Sequence, residues 1–475
     1  MVRLSGWGIV GLIALASVGV FPLSTPARAD TLPGALSQAY MTNPQLNAQR
    51  AAVRATDEAV PQALAGYRPR LSATASVGPA WIDTRTRIAE GVPGVAAPTY
   101  SSLSGHNFVQ TYGATVVQPL FDGFQTPNRS RQAESQVRAA REILRLTEQT
   151  VLLQAATAYM DLIRDMAIRD LQRRNVDVLG EQLRQTRDRF DVGEVTRTDV
   201  AQSESRLSAG RSSVLNAEAN FTTSRATYRQ VVGTDPGRLA SAMPVDRFSP
   251  PTLGAAINLA RSQHPSVQAA AYNVDQAEAQ VRVAEGSLYP SVNIVGSAQK
   301  SYGSNTSLQL LEQFSGSIAG QLTVPIYQGG AEYSQIRQAK EILGQRRIEL
   351  DTAREQVRQQ VVQAWGQLEA ARAQITATQS QVSAAEVALN GVREEARVGQ
   401  RTTLDVLNAQ QELVNARVAV VTAQRDRVVS SYTLLAAVGR LGPQVLGLKV
   451  PLYDVAVNYH EVRDSWFGLR SSGER

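Results

Sequence analysis

Residues 333–397 repeat apolar side chains with the seven-residue period of a coiled-coil helix. One seam of this repeat consists of Val361, Leu368, Ile375, Val382 and Leu389. A second seam, three places further on, is made mostly of small residues: Ala364, Ala371, Thr378, Ala385 and Val392. Because the run contains no proline, it predicts one uninterrupted helix about 100 Å long, with a face that neighbouring helices approach closely.

The order of features along the chain occurs twice. Gln118-Pro119-Leu120-Phe121-Asp122-Gly123 matches Val324-Pro325-Ile326-Tyr327-Gln328-Gly329. Val192-Gly193 with Asp199-Val200 matches Val398-Gly399 with Asp405-Val406. The repeat predicts four segments: a signal peptide over 1–29, a first repeat over 30–239, a second repeat over 240–440, and an equatorial, flexible tail over 441–475. Each repeat is expected to hold a β-hairpin (about 71–119; about 291–326) and a helical hairpin (128–233; 333–439).

The strand-like stretches alternate apolar and small polar residues with a period of two. Leu71, Ala73, Ala75, Val77 and Trp81 share one parity in the first stretch. A run of about ten such residues fits either a strand that crosses a bilayer or a half-buried strand of a soluble sandwich. Taken alone, the alanine-rich and glycine-rich faces favour the soluble alternative. The segments 82–105 and 299–312, rich in Gly, Ser, Pro and Thr, are expected to be the loops of the two hairpins.

The start of the chain indicates export. A basic residue, Arg3, precedes an apolar run from Ile9 to Val20 that is too short to span a bilayer, and Ala27-Arg28-Ala29 has the spacing of a signal-peptidase site. Cleavage is therefore expected between Ala29 and Asp30. The chain contains no cysteine, which excludes disulfide bonds and a lipid-modified cysteine.

Composition and motifs indicate no enzyme. The chain has 48 Lys and Arg against 42 Asp and Glu, but these charges are interspersed along the helices, so no nucleic-acid partner is expected. His106, His264 and His460 have no metal-ligand spacing, and no catalytic motif or phosphate-binding loop is recognisable. We therefore expect no catalytic residue, no metal and no cofactor.

The two repeats supply four strands, which are too few to close a sheet in lipid. Either the strands lie outside a membrane, or several chains share one sheet. The second alternative predicts an oligomer but does not determine the number of its subunits.

The short helix that ends at Asn43-Pro44, the Pro-Leu-Phe-Asp-Gly exit from the hairpin and the Val-Gly-X-X-Thr-X-X-Asp-Val turns resemble the TolC family of outer-membrane channel proteins. The resemblance extends to about residue 440. It implies a mainly α, α+β fold: an outer-membrane β-barrel with four strands per protomer, twelve in a homotrimer, continuous with a long periplasmic α-helical coiled-coil barrel. It also implies contact with outer-membrane lipid, a periplasmic adaptor (membrane fusion) protein and an inner-membrane ABC or RND transporter as partners.

The resemblance further implies that the two helix turns form a periplasmic gate. The residues at the matching positions are Arg401, Asp405 and Asn408 on the second turn, and Asp199 and Gln202 on the first. Gly193 and Gly399 are expected to be the helix-turn glycines. A simpler role remains open, because Thr198 or Thr403 could cap a helix whose first turn holds the aspartate.

The implied function is that of an exit duct for an export system. The tail from Tyr459 to Gly468 is similar to the C-terminal ends of members that serve type I protein secretion, which favours a polypeptide cargo. The alternatives are multidrug efflux and, from another class, a periplasmic coiled-coil adaptor or scaffold.

Overall fold

The computed structural model describes residues 30–87, 100–305 and 310–469. The predicted signal peptide, including Ala29, lies outside these ranges. In the first half, the elements are α1 (Leu32–Thr42), α2 (Pro44–Asp57), α3 (Ala59–Leu64), β1 (Arg70–Arg87), β2 (Tyr100–Phe121), α4 (Gln125–Asp191) and α5 (Arg197–Val232). In the second half, they are α6 (Leu253–Gln263), α7 (Pro265–Gly286), β3 (Ser291–Asn305), β4 (Leu310–Thr323), α8 (Ala331–Arg397), α9 (Thr403–Ala437) and α10 (Val455–Val462).

The two longest helices, α4 and α8, form the frame of the molecule. Each has 67 residues, which corresponds to a length of about 100 Å. Helices α7 and α9 each pack against both α4 and α8, while α2, α3 and α5 also pack against α4. The predicted seam of α8 is largely buried: Val361, Leu368 and Leu389 are each at most 3% exposed. The fold is thus a layer of long helices, and the predicted mainly helical α+β class is confirmed.

The four strands form one antiparallel sheet in the order β1-β2-β3-β4. Its register places Leu71 opposite Val116, Val116 opposite Gly296, and Gly296 opposite Ile318. Side chains of this parity are mostly apolar, whereas those of the other parity are mostly small or polar, with Ser, Thr and Gln the commonest. The sheet therefore has one apolar face and one polar face.

The strands are longer than the sequence predicts. They contain 18, 22, 15 and 14 residues, and β1 still pairs with β2 at Arg87 and Tyr100. The expectation that 82–105 and 299–312 are loops is therefore wrong for residues 82–87, 100–105, 299–305 and 310–312, which are strand; 88–99 and 306–309 lie outside the described residues. Gly, Ser and Thr suggest a loop, but the ladder hydrogen bonds use backbone groups that every non-proline residue carries.

The helical segment that follows Asn43 is broken into two helices. Helix α2 ends at Asp57, four residues before Pro61, and α3 continues after Glu58. Proline lacks an N–H group and its ring collides with the carbonyl four residues earlier, which explains the break. The matching segment of the second half has no internal proline and forms the single helix α7.

The largest core cluster lies at the middle of α4, where α1, α9 and the segment after Leu441 converge. Tyr159 is fully buried there, with its hydroxyl 2.7 Å from the Asp30 carbonyl oxygen and 2.6 Å from that of Ala240. This contact joins the start of the described chain to the connection between α5 and α6. None of the helices in the described ranges has both the length and the apolar composition needed to cross a membrane.

Candidate functional site at the tips of the helical hairpins

Two similar turns end the long helices at the tip of the molecule. Gly193 follows α4 and Gly399 follows α8, with φ angles of 83° and 81°. Their N–H groups donate to Phe190 O at 2.9 Å and to Ala396 O at 3.2 Å. Glycine adopts such positive φ angles without a steric penalty, so each turn reverses the chain within a few residues.

A capping box starts each returning helix. At α5, the Thr196 Oγ1 accepts from the Asp199 N–H at 3.3 Å, and the Asp199 carboxylate accepts from the Thr196 N–H at 2.9 Å. At α9, Thr402 and Asp405 make the same two bonds, at 3.2 and 3.0 Å. Reciprocal bonds of this kind satisfy backbone donors that a helix start leaves free.

The prediction that Thr198 or Thr403 caps a helix is therefore wrong. Both lie inside the helices, and Thr196 and Thr402 hold the cap position. In a capping box the side chain of the cap residue accepts from the N–H of the residue three places later. Because that later residue is Asp199 or Asp405, the cap is Thr196 or Thr402. Within one protomer, Asp199 and Asp405 both take part in helix capping, the simpler of the two roles that the sequence allows.

The caps also keep these carboxylates charged. Hydrogen bonds from the backbone and side chain of Thr402, with a smaller contribution from Arg401, lower the pKa of Asp405 below its ordinary value. The side-chain hydrogen bond from Thr196, followed by its backbone bond, lowers the pKa of Asp199 in the same way. Bonds to the ionised form favour it, so both capping carboxylates stay ionised to a lower pH than a free aspartate.

The other predicted gate residues have separate partners. Arg401 donates from Nε to Glu395 at 2.8 Å, while the Asn408 Oδ1 accepts from Arg206 Nη2 at 2.7 Å. Gln202 lies half-buried on α5, four residues before Arg206. Within one protomer the structure therefore does not gather the predicted residues into one cluster.

Two cross-links between the hairpins were not predicted from the sequence. One is the Arg206–Asn408 bond from α5 to α9. The other runs from Arg393 to the Gln410 Oε1 at 3.0 Å and from the Gln410 Nε2 to the Asn175 Oδ1 at 3.4 Å, and so joins α8, α9 and α4. Gln410 is only 7% exposed and Asn175 only 5%.

A sequence signal for the second link does exist. Gln410 lies three residues after Leu407 and four before Val414, which is a seam position of α9. A polar side chain in an apolar seam needs a buried partner. The partner is 235 residues away, so the sequence does not identify it.

Comparisons with known proteins identify the family. The outer membrane efflux protein family matches residues 35–234 and 256–440. The chain is 42% identical to the outer membrane efflux protein BepC of Brucella suis, over 94% of each chain. It is 27% identical to the outer membrane protein TolC of Escherichia coli, over 92% of this chain and 87% of TolC.

Two further matches broaden the comparison. The alkaline protease secretion protein AprF of Pseudomonas aeruginosa is 24% identical over 65% of each chain. The solved structure of the Campylobacter jejuni CmeC outer membrane channel superposes with a TM-score of 0.72 at 17% identity, over 91% of this chain and 89% of CmeC, and shows the same fold. The chain therefore belongs to the outer membrane efflux protein family and is an outer-membrane efflux channel of the TolC type.

Proposed function

We propose that this protein is the trimeric exit duct of a tripartite export system. In this proposal three protomers pool their sheets into one twelve-stranded barrel, and their helical layers enclose a tunnel. Substrate passes from an inner-membrane ABC or RND transporter, through a periplasmic adaptor, to the exterior. The duct itself catalyses no reaction.

One observation carries the proposal: a two-faced sheet continues directly into helices of about 100 Å. The apolar face suits lipid and the polar face suits a water-filled pore. Strands β1 and β4 lie at the edges of the sheet, where further strands would satisfy their backbone groups. An adaptor or scaffold has no use for such a sheet.

The proposed gate is the tip. Asp405, Asn408 and Arg401, with Asp199 and Gln202, would meet their counterparts from the other protomers around the pore axis. A ring of ionised carboxylates in a narrow pore favours cations. The capping role of Asp405 complicates any simple alanine substitution, because the variant would lose both the charge and the helix cap.

A pair of substitutions separates these two roles in planar-bilayer conductance measurements. Asp405→Asn removes the charge but keeps an oxygen that can accept the cap bond, whereas Thr402→Ala weakens the cap and keeps the charge. We expect Asp405→Asn to lose most of the preference for cations and Thr402→Ala to retain it. Unchanged selectivity in Asp405→Asn would place the constriction elsewhere, and absence of conductance from the folded trimer would refute the duct.

For the cargo, we propose a polypeptide exported by type I secretion. The tail residues Tyr459 to Gly468 support this, as does the similarity to AprF, which is named for protease secretion. Multidrug efflux is the second candidate, favoured by the 42% identity to BepC, which is named an efflux protein.

Deletion of the gene distinguishes the two cargoes. Type I secretion predicts the loss of one or a few proteins from the culture medium with drug susceptibility unchanged. Hypersensitivity to drugs with an unchanged set of secreted proteins would refute the polypeptide cargo and leave the duct proposal intact.

A further inference from the structure

The C-terminal segment after α9 runs along the outside of α2 and α3 towards the sheet. The Tyr453 N–H donates to the Tyr40 hydroxyl at 3.3 Å. Further along, the Asn458 Nδ2 donates to the buried carboxylate of Asp57 at 2.8 Å. Tyr459 then packs on a small apolar cluster at α3 and α4 that contains Val60, Ala133 and Val137.

The segment ends beside the first strand. The Arg68 Nη1 donates to the Ser465 carbonyl oxygen at 2.6 Å, and its guanidinium lies 4.8 Å from the centre of the Trp466 ring. Arg68 precedes β1 by two residues, and Leu71 is the first apolar side chain of the strand. Two independent contacts therefore hold residues 465 and 466 at the end of the sheet that joins the helices.

The side chains presented there are apolar and face solvent. Trp466 is 62% exposed, Phe467 91% and Leu469 103%. Tyr67 and Leu71, which lie on either side of Arg68 along the chain, are also exposed, by 51% and 74%. Arg68 thus holds the exposed side chains of the segment at the base of the sheet, and an exposed group of large apolar residues indicates a binding surface.

We propose that Trp466, Phe467 and Leu469 insert into the periplasm-facing leaflet of the outer membrane and form an interfacial anchor. Tryptophan is favoured at the depth of lipid headgroups, and Phe and Leu beside it can reach the acyl chains. Arg68 and Arg463 supply positive charges beside these side chains that lipid phosphates could pair with, and Asp464 is an acidic neighbour within the segment. The partner is a phospholipid surface, because the segment ends at the base of a sheet whose apolar face suits lipid.

Single-tryptophan variants test this in liposomes that contain brominated phospholipid, which quenches indole emission on contact. The protein is used without the predicted signal peptide, and so without Trp7. Trp466 is kept while Trp81 and Trp365 are changed to Phe, and two matching variants keep Trp81 or Trp365 alone. Trp81 lies on the apolar face of the sheet and should be quenched. Trp365 lies half-buried on α8, about 50 Å along the helix, and should not be quenched.

We expect Trp466 emission to be quenched strongly by bromine near the headgroup end of the acyl chains and less by bromine near their ends. Adding Phe467→Ser and Leu469→Ser to the Trp466 variant should reduce this quenching. Emission from Trp466 that is as insensitive to brominated lipid as that of Trp365 would overturn the proposal. Such a result would mean that either water or a neighbouring protomer surrounds the Trp466 ring, and both overturn the proposal. Quenching by acrylamide, which is dissolved in the water, distinguishes an exposed ring from one covered by protein.

Discussion

At the scale of single residues, a buried histidine lies in the elbow before α7, the sharp bend at His264 where α6 ends and α7 begins. His264 is 3% exposed and its Nδ1 accepts from the Ser266 N–H at 3.2 Å, which caps the helix. Burial, with a contribution from Arg145, lowers the pKa of His264 to about 4. At the matching elbow before α2, Asn43 is the cap and accepts from Gln45 N–H at 2.9 Å.

This difference predicts an acid sensitivity that His264→Asn removes. The pKa is about 6.5 in the unfolded chain, so the neutral imidazole contributes its full stability above that pH. The contribution is lost as pH falls towards 4, by about 3 kcal/mol in total, because the unfolded chain binds the proton more readily. Denaturant unfolding at several pH values should therefore show a flatter dependence for His264→Asn between pH 6.5 and 4.

The exposed His460 provides the control for this experiment. His460→Asn should leave the pH dependence of unfolding as in the wild type, since that side chain lies at the surface. An equal pH dependence in wild type and His264→Asn would contradict the assignment of the acid sensitivity to His264.

The end of α9 depends on a close backbone approach to the same elbow. Gly439 has a φ angle of 83°, and a Cβ atom there would lie 2.7 Å from the Cα of His264. Gly439→Ala would combine an unfavourable backbone angle with a backbone clash, so we expect a loss of about 2 kcal/mol or more in the free energy of unfolding. Thermal unfolding measures it, and Gly442→Ala, which would meet nothing within 4 Å, should be close to neutral.

At the scale of elements, the hairpins are joined at the tip by buried polar contacts. Gln410 connects Arg393 of α8 with Asn175 of α4, next to an apolar cluster of Leu179, Leu183 and Leu407. A buried polar group that loses its partner keeps its desolvation cost. One amide, that of Gln410, thus links α9 to both α8 and α4 near the tip.

Gln410→Ala is expected to loosen the tip. Asn175 and Arg393 would lose their shared partner, at a cost of about 1–3 kcal/mol in local stability. Hydrogen exchange should become faster in α9 near residue 410, and the single-channel conductance should rise if the tip is the gate. Gln411→Ala is the matched control, because the bond that Gln411 donates to Asn415 lies at the surface. Exchange rates that are equal in the two variants would contradict the role of Gln410.

At the scale of the whole molecule, the long helices were predictable and the contacts between them were not. A seven-residue period repeats many times along α8, so the predicted bounds 333–397 lie within two residues of Ala331–Arg397. The strands were underestimated beyond Trp81, because pairing there needs only backbone groups. The Arg206–Asn408 link spans 202 residues of sequence, and no local pattern encodes such a pairing.

The two faces of the sheet give the sharpest prediction about assembly. Ile318 is 85% exposed on the apolar face of β4, and Ala319, the next residue, lies on the polar face. An arginine on a lipid-facing position of a membrane sheet costs about 2 kcal/mol or more, depending on depth. Ile318→Arg should therefore lower the yield of heat-resistant trimer in the outer-membrane fraction, as measured by electrophoresis of unboiled and boiled samples. Ala319→Arg places the same charge towards the polar side and should assemble at near wild-type yield. Equal yields from the two variants would mean that the apolar face of the sheet does not contact lipid.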